Sequence, residues 1–181
     1  LQAYVNSKVL AYYASEDWMT ANKPGFDLIN IMPAFVFGAN RLVANVKDLN
    51  NGTNSYILGI LLGQKSPFPL PGNCVHVDDV ALAHIRALDP AVSGNQSFLL
   101  ASSTQGIVFD DAIEIAKRNF PVIVEKGLMP LDGTFGTTKC LVDASKAVKQ
   151  LGMKLKSYED QVKSLVGYYL ELSGEEGVPK I

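Results

Sequence analysis

Phe26-Asp27-Leu28-Ile29-Asn30-Ile31-Met32, closed by Pro33, is the stretch that most limits how this chain can fold. The run is short and mostly apolar at odd and even positions alike, with Lys23-Pro24-Gly25 before it. Such a pattern predicts a β-strand buried on both faces, which needs sheet neighbours at its edges and helices above and below. Ahead of it, Val5, Val9, Tyr12, Tyr13 and Met19 recur near helical spacing between Gln2 and about Asn22, and Lys-Pro-Gly stops that helix. A helix running into a buried strand is half of a βαβ unit.

Beyond Pro33 the chain reads as short elements joined by turns. Residues 34–54 are polar and become Gly/Asn-rich, which predicts a loop, and residues 55–62 read as a short apolar helix stopped by Gly63. Pro67, Pro69, Pro71 and Gly72 suggest a rigid connector. Cys74-Val75-His76-Val77 is a candidate strand, after which Asp78 or Asp79 can cap a helix reaching Leu88. Residues 97–101 form a β-type run. Residues 109–120 carry an amphipathic helical pattern ended by Pro121. Two helices are expected near 145–151 and 157–172, the second opened by Ser157-Tyr158-Glu159-Asp160 in the manner of a capping box. The expected organisation is one incomplete domain: 1–38 as helix and buried strand, 39–172 as a further strand, a substrate subdomain and closing helices, and 173–181 as a frayed tail.

With 181 residues, 48% of them hydrophobic and 19% charged, the chain can bury one sizeable core. A formal net charge of -2 and scattered Lys and Arg give no basic field for a phosphate backbone, which argues against nucleic acid as a partner. Cys74 and Cys140 form no CxxC and have no His at metal-ligand spacing, so neither a metal site nor a disulfide framework is expected. A reduced cytoplasmic setting fits that pattern, and apolar stretches such as 57–62 are too short to cross a bilayer.

The chemistry-bearing pattern is Tyr4-Val5-Asn6-Ser7-Lys8. Tyr and Lys four apart on a helix share one face, an arrangement suited to handing a proton to a carbonyl, although an ordinary exposed helical pair has the same spacing. Context adds to it: the helix leads into the buried strand, the strand into Pro33-Ala34-Phe35-Val36-Phe37-Gly38, and later come Val75-His76-Val77-Asp78-Asp79-Val80-Ala81-Leu82-Ala83-His84 and Val142-Asp143-Ala144-Ser145-Lys146 with Leu151-Gly152. In that order these segments resemble the second half of the extended short-chain dehydrogenase/reductases of the NAD-dependent epimerase/dehydratase superfamily. The resemblance is to the branch of dihydroflavonol reductases, cinnamoyl-CoA reductases and fungal methylglyoxal or aldehyde reductases.

The resemblance implies an α/β fold: the carboxyl-terminal half of a Rossmann-like doubly wound fold plus a small substrate-binding subdomain, without the amino-terminal Gly-rich nucleotide-binding half. It implies that Tyr4 protonates a ketone or aldehyde oxygen and that Lys8 is the neighbouring cation, which also bonds the nicotinamide ribose. Residues Pro33, Ala34, Phe35 and Val36 match the turn that meets the nicotinamide carboxamide, at the strand end where such sheets bind ligands; Pro33 also reads as a plain strand terminator. Asn40, Leu42, Asn54, Ser55, Leu58 and Leu62 fall where the family forms its substrate pocket, and they read equally as core and loop residues. His76 and His84 fit structural roles, and Asp79 a helix cap.

No Gly-rich turn between a buried strand and a helix can be placed in the chain, since Gly133-Thr134-Phe135-Gly136 lacks both flanks. The expected cofactor, NADP or NAD with NADP favoured by the resemblance, is therefore not expected to bind this chain alone. A reductase of ketones or aldehydes, active with a missing amino-terminal half, is the expected function. A cofactor-free isomerase, cyclase or small-molecule-binding module on the same fold is the alternative, with self-association covering the exposed sheet.

Overall fold

The computed structural model describes residues 2–174; the remainder of the expected tail, 175–181, lies outside the described residues. Helix α1, Gln2–Asn22, leads to β1, Ile29–Pro33, which passes almost directly into β2, Phe35–Phe37. Helices α2, Val46–Leu49, and α3, Asn54–Leu61, follow, then β3, Lys65–Gly72, β4, Cys74–His76, and α4, Val77–Arg86. The remaining elements are β5, Gln96–Leu100, α5, Asp111–Asn119, α6, Pro121–Glu125, β6, Thr134–Lys139, α7, Ser145–Gln150, and α8, Tyr158–Leu172.

The strands pair in parallel as β1–β5, β2–β4 and β3–β6. Parallel partners need crossovers, and the intervening helices supply them. Two of the pairs join into one surface. Ala34 N donates to Leu100 O at 2.9 Å where β1 becomes β2, and Ser102 N donates to Cys74 O at 2.7 Å beyond β5. Pro33 pairs in register with Leu100, so the carboxyl ends of β1 and β5 lie side by side.

Two apolar clusters stabilise this frame. The larger joins Phe37 of β2 to α3, α5, α6 and α8, with Ile57, Leu58, Phe109, Ile123, Leu165 and Leu170 fully buried. The smaller packs Val75, Ala83, Phe98 and Leu100 against Ala147, Leu151 and Met153. Helix α8 owes its start to the expected capping box: Asp160 N donates to Ser157 Oγ at 3.1 Å, and Ser157 N donates to Asp160 Oδ2 at 3.1 Å.

Several expectations are corrected. β1 is half-buried at Ile29 to Met32 and exposed at Pro33 rather than buried on both faces, because β5 is its one strand partner among the described residues. The presumed loop at 34–54 contains β2 and α2. The proline-rich connector is strand β3, paired on one side with β6; prolines at alternate positions remove N–H donors from one edge only, which such a strand tolerates. Gly133 opens β6 where its backbone presses on α3: a Cβ there would stand 2.3 Å from Ile60 O. Pro121 both ends α5 and starts α6 as its first residue.

The cap of α4 is neither aspartate. Asp78 N donates to His76 Nδ1 at 3.0 Å, while Asp79 Oδ2 accepts from Lys156 N at 2.8 Å and Asp78 Oδ2 pairs with Lys156 Nζ at 2.5 Å. Burial, helped by the Lys156 ammonium, pushes the His76 imidazole below its ordinary value, consistent with a ring nitrogen that must stay unprotonated to accept. His84, the other histidine, binds its own helix through Nδ1 and Val80 O at 2.7 Å.

Candidate active site

Helix α1 touches the sheet through its middle. Tyr12 Oη accepts from Ser97 Oγ at 3.3 Å, and Glu16 Oε1 accepts from Asn30 Nδ2 at 2.9 Å. These ties hold α1 along β1 and β5 and carry its first turns past the strands' carboxyl ends. Tyr4 and Lys8 lie there on one face, with Lys8 Nζ 5.6 Å from the centroid of the Tyr4 ring. Tyr4 remains 63% exposed, and no hydrogen bond holds its hydroxyl among the described residues.

Tyr4 forms one wall of a cavity of about 760 Å³. The floor is Met32, Pro33, Ala34, Phe35 and Val36 at the end of β1, beside Leu99 and Leu100 of β5. The far wall is Gly52, Thr53 and Tyr56 at the start of α3, with Pro71, Asn73, Cys140 and Val142. Open parallel sheets bind ligands in this position, outside the carboxyl ends of the strands. The floor is pinned from behind, because the Thr53 hydroxyl donates to Val36 O and Ala34 N is held by Leu100 O. Asn73, itself buried, ties three segments together: Nδ2 donates to Ser103 O at 2.7 Å and Cys140 O at 3.1 Å, and Oδ1 accepts from Cys74 N at 2.9 Å.

Comparison with known proteins bears on this arrangement. The sequence is 40% identical over 181 residues to ketoreductase CTB6 of Cercospora nicotianae, across 97% of this chain and 51% of that protein. It is 34% identical over 177 residues to NAD-dependent epimerase/dehydratase ALT6 of Alternaria alternata, across 90% of this chain and 49% of that protein. The crystal structure of Gre2 from Candida albicans superposes with a TM-score of 0.77 at 27% identity, across 94% of this chain and 52% of that one. This chain belongs to the extended short-chain dehydrogenase/reductase family. No protein-family model matches the sequence. The chain spans about half the length of the curated relatives it matches.

The fold brings Tyr4 and the turn from Pro33 to Val36 to one cavity, with Lys8 one helical turn from Tyr4. The six residues expected around the substrate lie elsewhere than on the cavity's lining. Asn54 is buried and braces the chain after β2, donating from Nδ2 to Gly38 O at 3.0 Å and accepting Gly38 N at 3.3 Å. Leu58 is in the core and Leu62 packs against it. Ser55 Oγ donates to Gly52 O at 2.7 Å, Asn40 Oδ1 accepts Leu42 N at 3.1 Å, and Leu42 is 95% exposed.

Sequence reasoning missed Thr53 and Tyr56, although their i, i+3 spacing puts them on one face of α3, turned from Leu58. Asn73, Cys140 and Val142 offered no local signal. No group of three or more His, Cys, Asp or Glu side chains gathers at metal-binding distance among the described residues, and no helix is long and apolar enough to cross a membrane.

Proposed function

We propose that this chain is the carboxyl-terminal half of an NAD(P)H-dependent reductase of ketones or aldehydes, working with the nucleotide-binding half that its relatives' length leaves room for. The observation that carries this reading is the single cavity shared by Tyr4 and the turn from Pro33 to Val36 at the ends of two parallel strands. The residues present fit the nicotinamide end of a dinucleotide: an apolar floor for the ring, and a Tyr–Lys pair beside it. NADP is favoured over NAD by the family resemblance.

When bound, the reduced nicotinamide supplies a hydride to the carbonyl carbon. Tyr4 gives its hydroxyl proton to the carbonyl oxygen, which completes the alcohol. Lys8 offsets the negative charge left on the phenol until solvent returns the proton. Pro33 to Val36 would line the nicotinamide end of the cofactor site, and their anchoring by Thr53 and Leu100 keeps that floor in place. The other half supplies the Gly-rich turn for the pyrophosphate and covers the open edge of β1.

The test is NADPH oxidation by the complete protein with a panel of ketones and aldehydes. Carbonyl-dependent oxidation with formation of the matching alcohol is expected. A folded protein that binds NADPH and leaves every carbonyl unreduced refutes the reductase; saturable NADPH binding by this chain alone refutes the need for the other half.

A further inference from the structure

A second cavity, of about 670 Å³, lies between the end of β4, the first turn of α4, the end of α5 and the start of α8. It shares no lining residue with the Tyr4 cavity, and α1 and β1, which the other half is proposed to cover, contribute none. Its walls come from elements that pack together within this chain, since α8 meets both α5 and β4. Two polar side chains on those walls are buried, His76 at 2% exposure and Ser164 at 7%. His76 Nδ1 accepts from Asp78 N at 3.0 Å, so the neutral ring keeps its hydrogen on Nε2, which has no acceptor among the described residues. Ser164 Oγ accepts from Ala39 N at 3.1 Å, and its own hydrogen is likewise unclaimed there. Both groups border one turn: a Cβ on Gly38, the residue before Ala39, would stand 3.1 Å from His76 Nε2.

Buried donors without acceptors are rare in folded proteins, because each forfeits the hydrogen bond it made with water. The charged groups on the same walls show which ligand suits these two. Lys156 Nζ is paired with Asp78 Oδ2 at 2.5 Å, and Asp160 Oδ2 accepts from Ser157 N at 3.1 Å and Ser157 Oγ at 2.7 Å. Lys163 forms no ion pair or hydrogen bond among the described residues. The uncommitted groups are thus one ammonium and two neutral donors, a set that matches a singly charged oxyanion. A dianion would meet the Asp78 and Asp160 carboxylates with one uncommitted cation to offset them. The Phe120 ring and the lysine stems offer apolar surface for a hydrocarbon body.

We propose that this cavity is a binding site for a small organic monocarboxylate, whose oxygens accept from His76 Nε2, Ser164 Oγ and Lys163 Nζ. None of these groups takes part in the proposed carbonyl reduction, so occupancy of the site is independent of whether the protein is a reductase. A carboxylate on Nε2 also keeps the Nδ1 lone pair free for Asp78 N, so the ligand supports the cap of α4.

The experiment is calorimetric titration of the complete protein with benzoate, benzamide and inorganic phosphate. Benzoate should bind saturably and raise the thermal midpoint, while benzamide and phosphate should each bind at least about tenfold weaker. Lys163 is an exposed residue of α8, and Lys163→Gln should weaken benzoate about fivefold with the ligand-free midpoint unchanged. In the unsubstituted protein, benzoate should move the nuclear magnetic resonance of His76 Nε2–H, identified by its loss in His76→Asn, and leave that of the His84 ring in place. No saturable binding of benzoate, benzamide or phosphate binding as tightly, an affinity that Lys163→Gln leaves unchanged, or a His76 resonance that stays in place while benzoate binds overturns the proposal. These readings need no turnover, so a protein that binds benzoate as expected and reduces no carbonyl refutes the reductase alone.

Discussion

Helices α1 and α8 are the two longest in the molecule, and they relate to it in opposite ways. Helix α8 is woven into the main core: Val162, Leu165, Val166 and Leu170 are fully buried, and Tyr158 donates its hydroxyl to Phe109 O at 2.8 Å. Helix α1 carries as many apolar and aromatic residues, yet Val5, Val9, Leu10, Tyr13 and Trp18 are each roughly half exposed or more, and no described residue of the helix is buried. The difference lies in what each helix has to pack against. Helix α8 meets α5, α3 and β4 within this chain, whereas α1 is tied to β1 and β5 by two side-chain hydrogen bonds and stacks Trp18 on Phe26. The helix that carries the proposed chemistry is thus the one this chain leaves uncovered, as expected if a further half of the protein completes its surroundings.

The sharpest way to break that contrast is to cut into α8. Leu165→Ala should cost about 2–5 kcal/mol in urea unfolding, because a fully buried leucine leaves a cavity in a packed core; a loss no greater than that of an exposed site would mean α8 is not part of the cooperative unit.

A smaller effect is expected where the packed region depends on pH. The His76 imidazole sits below its ordinary value because burial disfavours its charged form. The folded state therefore takes up the proton less readily than the unfolded one. Stability is fully present above about pH 6.5 and falls as pH drops through the folded value. His76→Asn, which can still cap α4, should flatten the decline of the thermal midpoint between about pH 7 and about pH 5. An unchanged slope would place the acid sensitivity elsewhere.

The smallest effect belongs to α1. Val9→Ala should shift the stability of this chain by no more than about 0.5 kcal/mol, since the side chain is 46% exposed. In the complete protein the same substitution should cost more, if the other half packs on α1. Equal effects in the two settings would remove the argument that this face is an internal interface.

The same contrast governs what the sequence made legible. Periodicity and caps located α1, α3, α5, α7 and α8, because each signal is local: the Ser157–Asp160 box, for instance, is contained in four residues. The strands β3 and β6 were hidden, one by its prolines and one by a Gly/Thr composition, since their pairing is set by α3 and by each other rather than by alternation. The His76 cap escaped notice because an imidazole rarely does what a serine or aspartate does at that position. Within the site, the Tyr–Lys spacing and the strand-end turn could be read directly. The far wall could not, because Tyr56, Asn73, Cys140 and Val142 converge from separate segments only once the chain has folded.

The central claim is that Tyr4 delivers the proton in carbonyl reduction, and Tyr4→Phe in the complete protein tests it most directly. With the ring kept and the hydroxyl removed, kcat for NADPH-dependent ketone reduction should fall by about a hundredfold or more, with NADPH affinity and the thermal midpoint unchanged. A kcat within about twofold of the unsubstituted protein would contradict the account.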